Sequence, residues 1–313
     1  MSRRKKISIC TGTYNEEGNI REFYDRTLAV LKKFPQYDYE YIVADNCSTD
    51  RTREILREIA AADPNFKCIF NSNNFGAARS GYNTYMQCTG DALVGLCSDL
   101  QDPPELIETF LKKWEEGYQA VCAVKSQYSD GLRGKIRHAY YRLLDRVAEF
   151  PLISDFHGFG LYDRKVVDAL KKFNEPIPYL RGLVCEVGFR RVLIPYVQEK
   201  RKKGKSSYNF FSYYDYAMTG FVNHTKLPLR LAVFCGFAVA FVSILIALGY
   251  LVYKLRYWDT FQLGLAPLVI GLFFFSAVQL IFIGIIGEYI GAIWTQVKNK
   301  PLVIEEEKIN FDR

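Results

Sequence analysis

No Cys-x-x-Cys pair occurs among the eight cysteines of this chain. Cys10, Cys47, Cys68, Cys88, Cys97, Cys122, Cys185 and Cys235 lie scattered, mostly within apolar runs. That spacing argues against a zinc or disulfide framework and reads as reduced, buried thiols of a cytosolic protein. No secretory leader is expected either. Met1 to Lys6 is basic, but the apolar run after it, Ile7 to Cys10, is too short for the core of a signal peptide. Charge is scarce in a third, local sense. Leu231 to Tyr253 and Phe261 to Gly287 contain no charged residue, although charged residues make up 24% of the whole.

Each of these two stretches exceeds the roughly 20 residues that cross a bilayer core as a helix. Buried core helices are usually shorter and rarely uncharged all round, so a membrane hairpin is the expectation. The connector, Lys254 to Thr260, is short, which puts both long flanks on one side. Lys226 and Arg230 precede the first span, and Lys298 and Lys300 follow the second. Lys254 and Arg256 in the connector are offset by Asp259, so the bias favours a cytosolic N-terminal part and tail. The expected location is the cytoplasmic membrane, crossed twice. Gly287 and Gly291 form a small-xxx-small pair that permits close helix packing and points to a homo-oligomer, a tetramer being one form open to it.

The formal net charge is +7 over 313 residues, a length that suits two domains or one large one. The Lys and Arg residues gather near the apolar segments. Anionic headgroups and phosphorylated substrates are therefore expected as partners, and nucleic acid is not. Tyr208 to Thr225 is rich in aromatics and reads as an interfacial segment at headgroup level. Ile136 to Phe150 sets Tyr140, Tyr141, Leu144 and Val147 against Arg137, Arg142 and Arg146, a helix that either packs on the domain or lies on the membrane.

The charged part alternates strand-like and helix-like runs. Lys6 to Thr11, Tyr39 to Ala44, Phe66 to Phe70, Ala92 to Cys97 and Ala120 to Val124 read as strands. Between them, Ile20 to Leu31, a segment with Ile55, Leu56 and Ile59 on one face, Ala77 to Gln87, and Pro103 to Glu116 read as helices. Such alternation predicts a mostly parallel α/β sheet covered on both faces, with ligands beyond the carboxyl ends of the strands. Polar clusters sit at three of those ends: Thr13-Tyr14-Asn15-Glu16, Asp45-Asn46, and Ser98 to Asp102. Taken singly, Thr13 to Glu16 reads as a helix capping box. The division expected is a catalytic domain over 1–207, an interfacial segment over 208–228, a hairpin over 229–291 with spans of about 231–253 and 261–287, and a cytosolic tail over 292–313.

Thr-Tyr-Asn-Glu-Glu with Ile20, Ile-Val-Ala-Asp-Asn-Cys-Ser-Thr-Asp-Arg-Thr, and Asp-Leu-Gln-Asp-Pro-Pro-Glu together resemble glycosyltransferase family 2 of the GT-A, Rossmann-like fold. Asp163-Arg164-Lys165, Arg201-x-x-Gly204-x-Ser206-x-Tyr208 and Gly287-Glu288-Tyr289-Ile290-Gly291 resemble its polyprenyl-phosphate branch, which includes dolichol-phosphate mannose synthases and bactoprenol glucosyltransferases. The resemblance covers nearly the whole chain. It implies inverting transfer of a sugar from a nucleotide diphosphate, UDP by closeness to the bactoprenol enzymes, to polyprenyl phosphate, giving a lipid-linked sugar for cell-envelope glycans.

The resemblance also assigns roles. Asp99 and Gln101 would coordinate Mg²⁺ or Mn²⁺, although Asp99 alone could equally cap a strand end. Thr13, Tyr14, Glu16 and Asp45 would meet the nucleotide, with Asn74, Gly76 and Arg79 near it. Arg201, Lys205 and Ser206, with Lys125, Arg133 and Arg137, would hold the acceptor phosphate, which suits the planar fork of arginine. Four positions depart from the family pattern. Gly12 stands where Pro is common, Asn46 replaces an Asp, Cys97 replaces the first carboxylate of Asp-x-Asp, and Gly158 occupies the place of an Asp often taken as base. Asp155 lies nearby as a substitute. These losses motivate the alternative of an inactive scaffold in an envelope complex. A processive polysaccharide synthase would carry Gln-x-x-Arg-Trp, which is absent.

Overall fold

A computed structural model describes residues 3–126, 151–173, 175–199, 225, 227–257 and 265–311. The expected segments 136–150 and 208–224 lie outside the described residues. The chain divides into two units, residues 1–220 with 299–313, and residues 221–298.

The first unit is built on one sheet. Its strands are β1 (Lys5–Thr13), β2 (Tyr37–Asp45), β3 (Phe66–Asn71), β4 (Ala92–Gly95), β5 (Ala120–Lys125), β6 (Phe156–Asp163), β7 (Arg191–Tyr196) and β8 (Glu305–Ile309). Their order among the described residues is β7-β5-β6-β4-β1-β2-β3-β8. The β1–β2, β1–β4 and β2–β3 pairs are parallel, as the alternation predicts, and β5–β7, whose second strand the sequence did not announce, is parallel too. The β3–β8, β4–β6 and β5–β6 pairs are antiparallel.

Successive strand residues face opposite sides, so a strand covered on both faces must be apolar throughout. β1 and β2 largely meet this demand, with Ser8 and Glu40 as buried polar residues that bond each other. Ile7, Ile9, Tyr41 and Val43 enter one core cluster, and Cys10, Ile42 and Ala44 the other. The helices are α1 (Ile20–Leu31), α2 (Thr52–Ala62), α3 (Ala77–Gln87), α4 (Leu106–Glu115), α5 (Arg164–Leu170) and α6 (Leu180–Glu186). α1 buries Ile20, Phe23, Thr27, Val30 and Leu31, the stripe that a 3.6-residue period places on one face. Burying such side chains contributes roughly 1.5–3 kcal/mol each. The capping box is corrected. α1 starts at Ile20, Thr13 Oγ1 has no partner among the described residues, and the Glu16 carboxylate instead accepts from Asn19 at 2.6 Å.

One buried carboxylate ties the sheet together away from the strands' carboxyl ends. Glu40 is 2% exposed and accepts from Ser8 Oγ at 2.6 Å, Lys67 Nζ at 2.8 Å and the Thr89 amide at 2.7 Å. Burial alone would raise its pKa. The hydrogen bonds from Lys67, Ser8 and Thr89 outweigh burial and bring it from 4.5 down to about 2.

The second unit holds two long helices, α7 (Leu227–Arg256) and α8 (Leu265–Val297). Within their apolar spans, Leu227–Tyr253 and Gly271–Val297, 18-residue windows reach mean hydropathies of 2.8 and 1.9. Both are long and apolar enough to cross a membrane. Phe234, Phe237, Phe273 and Leu280 stand exposed along them, an arrangement that suits lipid and not water. α8 continues past Gly287 through Glu288 to Val297. The Thr225 hydroxyl accepts from the Leu227 amide at the start of α7, and the Thr225 carbonyl accepts from Tyr289 of α8 at 2.8 Å. The Gly-Glu-Tyr motif thus fastens one helix of the pair to the entry of the other.

Candidate active site

The carboxyl ends of β1, β2 and β3 lie side by side, because Thr13 pairs with Asp45 and Asp45 with Phe70. Three buried polar atoms there have no partner among the described residues: Thr13 Oγ1, Asp45 Oδ1 and Asn71 Oδ1. Buried polar atoms are ordinarily satisfied, so orphans clustered at strand ends mark a place where a ligand supplies the missing bonds. Asp45 itself is fully buried. Its other oxygen accepts from Arg53 Nε at 2.7 Å and from the Ser48 amide at 3.1 Å. Asn71 and Arg53 are members of this cluster that sequence reasoning missed. Asn71 lies one residue past the apolar run that defined the strand.

Asn46 stands where the family pattern has a second Asp, and its amide is used at both ends. Its Nδ2 donates to Asn74 Oδ1 at 2.6 Å, while its Oδ1 accepts from the Phe75 amide at 2.9 Å and from Asn71 at 3.3 Å. Asn74 Oδ1 also takes the Gly76 amide, where φ is +86°. A carboxylate at 46 could not donate and would face another acceptor. Asn46→Asp is therefore expected to lower stability by about 1–3 kcal/mol in chemical denaturation, and unchanged stability would contradict this network.

Tyr14 is half-buried in the loop after β1, beside Asn15, whose φ is +54°. Glu16 is 6% exposed, with its amide on Thr52 and its carboxylate on Asn19, and so braces the same loop. Arg79, expected near the nucleotide, donates to the Pro301 carbonyl at 2.8 Å and lies over the Phe75 ring, while its buried Nε has no partner among the described residues.

After β4, Asp99 Oδ1 accepts from the Gln101 amide at 3.2 Å across Leu100, whose φ is +58°. The turn sets the backbone amide of one expected metal ligand on the carboxylate of the other. A buried brace holds it from beneath. Asp102, 1% exposed, accepts from Tyr196 of β7 at 2.6 Å and faces His157 Nε2 of β6 at 3.0 Å. Burial works to raise the Asp102 carboxyl. His157, Tyr196 and the Lys125 charge overcome it and hold the group below the ordinary carboxylate range. This brace too escaped the sequence reading, because its three members lie on distant segments. Cys97, in the place of the first carboxylate, is exposed.

Asp155 precedes β6, and its carbonyl accepts from the Lys125 amide at 3.2 Å. Two residues expected at the acceptor side are thereby adjacent. Burial pushes the Asp155 carboxyl up, while Lys125 and Arg181 pull it back in part. Gly158, where the family has Asp, has φ of +107°, and a Cβ there would lie 3.0 Å from Leu180 Cδ2. That backbone conformation is one that L side chains rarely adopt. Arg133, Arg137, Arg201, Lys205 and Ser206 lie outside the described residues.

Comparison with known proteins shows the family. Residues 8–171 match the model of the family described as glycosyl transferase family 2. An uncharacterized glycosyltransferase, YkcC of Bacillus subtilis, is 36% identical, the match spanning 100% of this chain and 97% of that one. The SfII prophage-derived bactoprenol glucosyl transferase of Shigella flexneri is 31% identical over 96% of this chain and 97% of its own. The bactoprenol glucosyl transferase of Shigella phage SfV is 30% identical over 97% and 99%. Among solved structures, a mannosyltransferase of Pyrobaculum calidifontis in complex with GDP-Man and Mn²⁺ gives a TM-score of 0.49 at 16% identity, covering 95% of this chain and 88% of that one.

Proposed function

Since the chain belongs to glycosyl transferase family 2, we propose that it moves a sugar from a UDP-sugar to polyprenyl phosphate, with inversion at the anomeric carbon. The observation that carries this reading is the row of orphaned atoms Thr13 Oγ1, Asp45 Oδ1 and Asn71 Oδ1, which a bound nucleotide would satisfy. The lipid acceptor is supported by the two apolar helices and by the names of the bactoprenol relatives. The product serves cell-envelope glycans, the chain sits in the cytoplasmic membrane as a homo-oligomer, and the catalytic unit faces the cytosol.

Asp99 and Gln101 would hold Mg²⁺ or Mn²⁺. Both offer oxygen donors from one turn, and among the described residues no group of three His, Cys, Asp or Glu side chains gathers into a closed cage. That donor set suits a hard cation bound partly through the donor diphosphate. Such an ion, when bound, supplies positive charge opposite the departing diphosphate. Asp45 orients the base end of the donor. Lys125, with Arg133, Arg137, Arg201, Lys205 and Ser206, positions the acceptor phosphate and screens its charge from the donor.

The nucleophile is a phosphate monoester whose second pKa is about 6, so it has no hydroxyl proton to lose at neutral pH. Catalysis then needs no strict general base, which accommodates Gly158. Asp155→Ala should keep kcat within about threefold of wild type in a radiolabelled-lipid assay; a fall beyond a hundredfold would make Asp155 the base. Titration calorimetry of the full chain in detergent with Mn²⁺ tests the donor class. UDP should bind more tightly than GDP, and the reverse order would sink the UDP assignment.

A further inference from the structure

β8 is unusual for an edge strand. Its three consecutive glutamates all reach back into the unit. Glu307 pairs with Phe70 of β3 and Glu305 with Asn71, so Glu306 is an extra residue between them, a β-bulge. Bulges re-aim side chains. Here Glu306 and Glu307 both turn to α2, where Glu307 takes both arms of Arg57 at 2.6 Å and Glu306 takes Arg53 Nη1 at 3.2 Å. Arg53 then reaches inward. Its Nη2 donates to the Asn71 carbonyl at 2.8 Å, and its Nε donates to Asp45 Oδ2 at 2.7 Å. One planar guanidinium thus joins β8, the end of β3 and the end of β2.

We infer that Glu306 is a positioning residue for the donor site: acting through Arg53, it fixes the Asp45 carboxylate, so the segment that follows the second apolar helix completes the nucleotide pocket. The inference rests on the reading that Asp45 faces the nucleotide. Asp45 is buried, and its Oδ2 has two partners, Arg53 and the Ser48 amide. The direction of its free oxygen therefore follows the guanidinium. Without Glu306, Arg53 keeps its inner bonds and its place over the Phe70 ring but loses the outer bond that ties it to β8. The same segment also holds α3, through Asn83 Nδ2 on Glu305 at 2.7 Å and Arg79 on the Pro301 carbonyl.

The test compares Glu306→Gln with Glu307→Gln in the full chain, by calorimetry with UDP and Mn²⁺. Each variant removes a partly exposed ion pair between β8 and α2, but only one pair leads to Asp45. Glu306→Gln should weaken UDP binding about three- to fivefold, the scale of such a pair, and raise KM for the donor at unchanged kcat. Glu307→Gln should bind UDP as wild type does. Equal affinities in the two variants, whether both weakened or both unchanged, would overturn the positioning role and leave β8 a structural edge. A folded wild-type chain that binds no UDP would overturn the donor reading and this inference with it.

Discussion

Asp99→Asn should lower kcat by about 10²–10³-fold while the protein stays folded. Asn keeps an oxygen that can accept from the Gln101 amide, the bond that shapes this turn. It removes the charge. Screening of the leaving diphosphate is worth several kcal/mol of transition-state stabilisation, and each 1.4 kcal/mol is about tenfold in rate. The chain has Cys97 where the family pattern has another carboxylate, so Asp99 is the carboxylate of that Asp-x-Asp pattern that is kept. Single-turnover rates across a Mn²⁺ titration would measure the loss. Asp99→Asn with more than a tenth of wild-type kcat would remove Asp99 from the reaction.

Glu40→Gln should cost about 2–3 kcal/mol and flatten the acid limb of stability. Glu40 titrates near 2 in the fold against 4.5 when free. A depressed carboxyl contributes its stability fully above the free value, and loses it as pH falls through the folded one. The window here runs from pH 4.5 down to about 2, with on the order of 3 kcal/mol lost across it. Gln could still accept from Ser8 but would leave Lys67, which is 14% exposed, without its charge partner. Urea unfolding at a series of pH values reads the effect. An acid limb as steep in Glu40→Gln as in wild type would show that another group governs it.

How far the sequence spoke depended on whether the decisive contacts were local. Strands covered on both faces need continuous apolar runs, so β1 to β5 were legible, and Asp45 and Asp99 stood out as polar residues where those runs stop. β6 was hidden by Gly158 and Gly160. A Cβ at Gly160 would collide with the Val121 carbonyl, so the glycine that breaks the pattern is what lets the strands meet. β8 carries Glu305-Glu306-Glu307-Lys308, which no strand pattern announces. Its pairing is set by β3 and by arginines some 250 positions earlier, Arg57 to Glu307 for one. The Asp102–His157–Tyr196 brace was illegible for the same reason. The departure at Gly158 was visible as a missing carboxylate, and its φ of +107° is one that L side chains rarely adopt.

Sugar transfer to lipid is the central activity to measure. Purified full-length protein in lipid nanodiscs, given Mn²⁺, undecaprenyl phosphate and a panel of radiolabelled UDP- and GDP-sugars, should place label in the lipid phase from at least one UDP-sugar. The lipid-linked sugar should carry the anomeric configuration opposite to the donor's. Label remaining in the aqueous phase with every donor, while UDP still binds, would contradict the account and leave an inactive scaffold as the better reading.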